Sequence, residues 1–190
     1  MQDISEKLHV AGAVGVIATD TVYGVVARAA DAEAVARLYA VKSREKKPGT
    51  LIAASIDQFA ELGIPRRYLK AVEQFWPGAV SVVIPCGDDL FYLHQGLHSL
   101  AVRIPDDQRL LALLRETGAL LTSSANQPGK PPANTVEEAK AYFGDTVDFY
   151  EDGGNLSSHA PSTVIRIVDD AIEVLREGAV KINENGAIET

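Results

Sequence analysis

Two stretches of the chain place short oxygen-bearing side chains where an apolar run stops. The first, Thr19-Asp20-Thr21-Val22-Tyr23-Gly24, is entered from the apolar residues 13–18 and left through residues 25–27. The second, Thr122-Ser123-Ser124-Ala125-Asn126, follows Ala119-Leu120-Leu121 and precedes Pro128-Gly129. Hydroxyls and an amide at strand ends suit a polar ligand, because loops on rigid scaffolds carry function and open α/β sheets collect ligands beyond strand ends. The same composition also makes ordinary turns, the first closed by Gly24 with Asp20 bonding its own backbone. Lys42, Arg44, Lys46 and Lys47 fall together ahead of Pro48-Gly49. Such a charge run is usually a solvated helix end. A lysine and an arginine two apart before a flexible loop could equally fold over a polyphosphate, arginine as a planar fork and lysine as a point charge. Arg103 stands inside a strand-like stretch, residues 99–105. It shares a face with Ala101, while Leu100, Val102 and Ile104 share the other. If its face lines a cleft, Arg103 becomes an anion clamp.

Regular elements must hold these residues. The spacing predicts a helix over 3–11 stopped by Gly12, strands over 13–18 and 25–29, and a helix over 32–42 capped by Asp31 with Ala34, Val35, Leu38 and Val41 inside. A strand over 50–55 precedes a short helix capped by Asp57. A helix over 66–75 ends at the sharp turn Trp76-Pro77-Gly78, and residues 79–85 read as a buried strand. Residues 86–98 read as a loop holding His94 and His98, without the carboxylate-rich pattern of a metal site. A helix over 107–117 is stopped by Gly118. Thr135-Val136-Glu137-Glu138 is a capping box opening a helix to 143. Residues 152–158 form a loop. Strands over 164–168 and 172–175 flank the turn Asp169-Asp170, and the polar tail 181–190 is expected to be loosely held.

Composition bounds the function. A chain of 190 residues with 46% hydrophobic content is expected to form one domain, 1–190, with its core over about 10–180. Its formal net charge of −8 argues against binding nucleic acid through broad electrostatics, though not against a local basic patch. The single cysteine, Cys86, excludes an internal disulfide and reads as a small core residue. No apolar run reaches membrane-spanning length and no signal-peptide core is visible, so the reading is a cytoplasmic protein with no membrane partner.

Each signal is weak alone, but their order along the chain is specific. Thr-Asp-Thr-Val-Tyr-Gly, Lys42-x-Arg44, Trp-Pro-Gly, Ser-Leu-Ala-Val-Arg-Ile-Pro, Ser124-Ala125-Asn126, Pro-Ser-Thr-Val and Leu-Arg-Glu-Gly together resemble the YrdC-type threonylcarbamoyl-AMP synthase family, in its short single-domain bacterial form. The resemblance implies an α/β (α+β) fold, a twisted mixed sheet with helices around a concave cavity. It implies a nucleotidyltransferase that makes threonylcarbamoyl-adenylate and pyrophosphate from ATP, L-threonine and bicarbonate or CO2. Other proteins then use the product to modify the adenosine beside the tRNA anticodon. By resemblance, Lys42 and Arg44 meet the ATP phosphates and are the catalytic pair. Ser99, Ser124, Asn126 and Arg176 help hold the nucleotide. Thr21, Arg103, Thr122 and Ser162 surround threonine, Arg103 pairing its carboxylate. No metal-ligand motif is present, so Mg2+ is expected to arrive on the ATP phosphates. The sequence departs from the family where proline usually precedes Thr-Asp-Thr (here Ala18), where proline follows Lys-x-Arg (Glu45) and where Ser-Gly follows Ser-Ala-Asn (Pro128-Gly129).

Two other readings stand beside this one. A nucleic-acid-binding module of the same fold would use Lys42, Arg44, Lys46 and Lys47 for weak RNA or tRNA binding, without turnover. A paralogue acting on another carbamoyl-adenylate would keep the phosphate-side residues and change the threonine side. A transferase partner acting on tRNA is compatible with the synthase reading.

Overall fold

A computed structural model describes residues 2–43, 48–169, 171–183 and 185–189. Its strands β1 (Gly15–Ala18), β2 (Tyr23–Arg28), β3 (Thr50–Ile52), β4 (Val80–Pro85), β5 (Ser99–Arg103), β6 (Leu120–Ser124), β7 (Phe149–Tyr150), β8 (Thr163–Val168) and β9 (Ala171–Arg176) form one mixed sheet. Their order is β7-β1-β2-β6-β3-β5-β4-β8-β9. β1–β7, β3–β5 and β4–β8 pair parallel and the other neighbours antiparallel. The helices are α1 (Gln2–Leu8), α2 (Ala32–Val41), α3 (Ile56–Glu61), α4 (Arg66–Ala71), α5 (Phe91–His94), α6 (Gln108–Thr117) and α7 (Val136–Phe143).

Helix starts follow the short oxygen-bearing caps, which satisfy amides that have no partner inside the helix. Asp31 accepts from the Ala34 amide, Asp107 from Leu110 and Thr135 from Glu138. Ser55, not Asp57, caps α3, accepting from the Gln58 amide. Asp57 lies inside the first turn and pairs with Arg66 instead. Helix 66–75 breaks after Ala71 into a short 3-10 turn that buries Phe75. The strand expected over 50–55 stops at Ile52, and Tyr23 and Gly24 belong to β2 rather than to the turn. The stretch 86–98 contains α5, which buries Leu93 and His94. The two-residue β7 had no sequence signal. Val180 and Ile182 pack on the core, and the tail carries an Ile182–Ile188 bridge.

The two sheet faces are covered differently, and the pleat decides which residues go where. One face carries the larger core: Val16, Val25, Leu51, Leu121, Leu100, Val102, Val82 and Ile165 pack with Val35 and Leu38 of α2, Phe59 of α3 and Leu69 of α4. On the other face, α1 and α6 cover only part of the surface. There Leu8, Leu110, Leu113 and Leu114 pack on Ile17, Val26, Ile52 and Leu120. Two residues further along the same strands, on the same face, stand Gly24, Thr50 and Thr122. Registers Gly24↔Ser124, Val26↔Thr122, Thr50↔Thr122 and Thr50↔Ala101 bring these positions side by side. None of the described helices packs its core on them; they floor a cavity.

Candidate substrate-binding cavity

The cavity has a volume of about 500 Å³. Its floor crosses the sheet from Gly24 through Ser124, Thr122 and Thr50 to Ser99, Ala101 and Arg103, and on to Val83, Val164 and Arg176. Missing side chains keep it open. A Cβ on Gly24 would stand 2.4 Å from Thr122 Oγ1, and one on Gly49 would stand 2.5 Å from the Thr122 carbonyl. Three described lining residues carry charge, Arg103, Arg166 and Arg176, and none is acidic. The local field is therefore cationic within a chain of net charge −8.

The first polar stretch forms one wall. Thr19 organises it: its hydroxyl donates to the Val22 carbonyl (2.6 Å) and accepts from the Thr21 and Val22 amides (both 3.2 Å). Its hydroxyl also lies 3.1 Å from that of Thr21, which lines the cavity. Asp20 does not bond its own turn. Its Oδ2 reaches across the sheet to Arg103 Nη1 at 2.6 Å and accepts from the Asp106 amide at 3.3 Å. The Arg103 side chain is 3% exposed and that of Asp20 10%. Tyr23, on the opposite face of β2, donates to the Gly154 carbonyl and accepts from the Gly153 amide, pinning the loop 152–155. Burial pushes its hydroxyl pKa up.

In the second polar stretch the hydroxyls lie within β6 itself. Thr122 and Ser124 share the cavity face with Leu120, two and four positions along. Ser124 Oγ donates to Asn126 Oδ1 (2.7 Å), and Asn126 Nδ2 donates to the Lys130 carbonyl (2.8 Å). Lys42 enters from the end of α2, buried. Its ammonium donates to the Ser124 carbonyl (2.6 Å), the Asn126 carbonyl and Asn126 Oδ1 (3.0 Å), and stands over the Phe143 ring. Lys42 and Asn126 thus join Ser124 in one network behind the wall without lining the cavity. Arg44, with Lys46 and Lys47, lies outside the described residues.

The third wall comes from the end of the sheet. Ser162 Oγ lies 2.9 Å from Ser81 Oγ, a fully buried hydroxyl on β4. Arg176 donates through Nη2 to the Ser162 carbonyl (2.7 Å) and hydroxyl (3.3 Å). Gly178 is required by close approach, since a Cβ there would stand 2.2 Å from the Pro161 carbonyl. Of the ten residues expected at the site, Thr21, Ser99, Arg103, Thr122, Ser124, Ser162 and Arg176 line one cavity. Asp20, Ser81 and Arg166 were not anticipated. Alternation along β8 gives the only sequence signal for Arg166, two positions from Val164.

His94, His98 and Asp88 converge near one point. The His94 ring is spent on its own loop: Nδ1 accepts from the Gly96 and His98 amides (3.0 and 3.2 Å), and Nε2 faces the Gly87 carbonyl (3.2 Å). No lone pair remains for a cation, so His94 acts as a scaffold. Burial pushes the Cys86 thiol up to about 11, far from a neutral-pH thiolate.

Comparison with known proteins identifies relatives over most of the chain. The Sua5/YciO/YrdC family profile, described as telomere recombination, matches residues 7–178. A Bacillus subtilis protein named threonylcarbamoyl-AMP synthase is 33% identical over 85% of this chain, and this chain spans about half of that protein, 49%. An Idiomarina loihiensis protein of the same name is 32% identical over 94% of this chain and 100% of its own length. Among solved structures, P. abyssi Sua5 complexed with L-threonine superposes with a TM-score of 0.83 at 28% identity, over 94% of this chain and 54% of that one. No helix among the described residues is long and apolar enough to cross a membrane. With a matching profile over nearly its whole length and relatives above 30% identity, the chain belongs to the Sua5/YciO/YrdC family.

Proposed function

We propose that this chain is an L-threonylcarbamoyladenylate synthase. The observation that carries the reading is the cavity, floored by hydroxyls and bordered by arginines with no acidic residue among its described lining. Such a lining suits two anions held together: an amino-acid carboxylate and a polyphosphate. In the proposed reaction the threonine amine takes up CO2 or bicarbonate to form a carbamate. A carbamate oxygen attacks the α-phosphorus of ATP, the bond to the β-phosphate oxygen breaks, and pyrophosphate leaves. Little covalent work falls to the protein; it positions reactants and neutralises charge.

Arg103 pairs the threonine carboxylate, with Thr21, Thr122 and Ser162 around the rest of the amino acid. Ser99, Ser124 and Arg176 hold the nucleotide, and the Lys42–Asn126 network supports the wall beside it. Arg44 is assigned to the phosphates by family resemblance, whereas Lys42, donating to Ser124 and Asn126, acts through that wall. Mg2+ enters as part of the ATP substrate, held by the phosphates. The product serves a transferase acting on the adenosine beside the tRNA anticodon.

Pyrophosphate release from ATP, with threonine or bicarbonate omitted in turn, tests the reading. Release that requires both is expected. Release with bicarbonate but indifferent to threonine points to a different carbamoyl-adenylate. No release, together with salt-sensitive tRNA binding, overturns the synthase reading in favour of a binding module.

A further inference from the structure

The ion pair between Asp20 and Arg103 is unusual in what it leaves unused. Both hydrogen bonds of the guanidinium leave from Nη1, to Asp20 Oδ2 at 2.6 Å and to the Gly78 carbonyl at 3.5 Å. Arg103 Nε and Asp20 Oδ1 are both buried and, among the described residues, neither has a hydrogen-bond partner. A buried donor without an acceptor costs free energy, so such atoms call for an explanation. A carboxylate facing a guanidinium ordinarily takes a two-pronged bond. Here it takes one corner, and the edge formed by Nε and Nη2 is left over. The backbone supports this choice. Asp20 is fixed by the Thr19-organised turn and by the Asp106 amide, and Arg103 by its place on β5 among Ser99 and Ala101 on the cavity floor.

We infer that Asp20 is a positioning residue. By occupying Nη1 it holds the guanidinium in one rotation and reserves the Nε–Nη2 edge for the α-carboxylate of the amino-acid substrate. This rests on the synthase reading. Asp20 does not line the cavity, so it acts through Arg103 and not on the substrate directly. Losing it frees the guanidinium to turn, and the fork then meets the carboxylate in the wrong plane. The loss falls on the amino acid and not on the nucleotide.

The test compares wild type, Asp20→Asn and Asp20→Ala in the pyrophosphate-release assay, with KM measured separately for L-threonine and ATP. Binding of L-threonine methyl ester, which lacks the carboxylate, is measured alongside. Asn keeps the shape but replaces the charged acceptor with a neutral amide oxygen, which weakens the hold on Nη1, so that variant remains informative if Ala prevents folding. The expected result is a threonine KM raised about tenfold or more, an ATP KM within about twofold of wild type, and ester binding unchanged, the pattern of a lost contact to one substrate only. An unchanged threonine KM overturns the inference, as does a parallel rise in both KM values, which marks a general structural role. Wild type that needs no threonine overturns the synthase reading and this inference with it. Wild type that needs threonine, with Asp20→Asn indistinguishable from it, overturns this inference alone.

Discussion

The covered and open ends of one sheet face are built from the same strands and differ by two residues in each. Under α1 and α6 the face shows Val26, Ile52 and Leu120; beyond them it shows Gly24, Thr50 and Thr122. Backbone pairing continues unbroken from one end to the other. What changes is the solvent each side chain must meet. Apolar groups are rewarded where a helix removes them from water, and hydroxyls are tolerated where it does not. The larger core on the opposite face runs beneath both ends, so the open end is a rigid floor and not a frayed edge. The site is therefore a place where the sheet persists after its covering layer stops.

This contrast can be broken from either side. The largest effect is expected at the covered end. Leu114→Ala removes a fully buried side chain between α6 and the sheet and should cost about 2–5 kcal/mol in urea unfolding. Next comes Gly24→Val at the open end. A β-branched residue suits the strand, but its Cβ starts 2.4 Å from Thr122 Oγ1 and its methyls enter the cavity. Folding should survive while kcat/KM for pyrophosphate release falls about 100-fold, roughly 2.7 kcal/mol of transition-state binding. Thr122→Val removes one cavity hydroxyl. About a tenfold loss in kcat/KM is expected with little change in melting temperature, the reverse of the Leu114 pattern.

The smallest effect lies outside both ends and calibrates them. Asp31 caps α2, and its bonds from the Ala34 and Gly12 amides hold its carboxyl below the ordinary value of 3.8. A lowered folded-state pKa stabilises above the unfolded value and is lost as pH falls through the folded one. Asp31→Ala should therefore cost about 1 kcal/mol near neutral pH, and the gap to wild type should narrow as pH drops below 3.8. Unfolding curves at pH 7 and at acid pH check the sign.

Local signals in the chain carried the local features. Asp31 and Thr135 are helix caps as their spacing predicts, and Asp107, expected as the first residue of its helix, caps it instead. Alternation in residues 99–103 separates Ala101 and Arg103 from Leu100 and Val102. Ambiguity began where two residues offered the same chemistry. Asp57 is the expected cap of α3, yet Ser55 two positions earlier offers the same chemistry and takes the role in the register that buries Phe59. The order of the hydroxyl-bearing motifs named the family, and the structure brings most of those hydroxyls onto one floor. What stayed hidden is what depends on distance. Asp20 meets Arg103 across 83 positions, and Ser81 meets Ser162 across 81. No periodicity links such partners. Tertiary structure alone does so: β8 lies beside β4, which brings Ser162 to Ser81, and the turn after β1 reaches across the sheet to the end of β5.

The most direct test of the open end as the functional site is a crystal structure of the chain with L-threonine and α,β-methylene ATP, which blocks transfer at the α-phosphorus. The account predicts both ligands on the floor between Gly24 and Arg176, with the threonine carboxylate within hydrogen-bonding distance of Arg103. Ligands seated instead in the apolar groove of Ile56, Trp76, Pro77, Ile104 and Leu111 would contradict it.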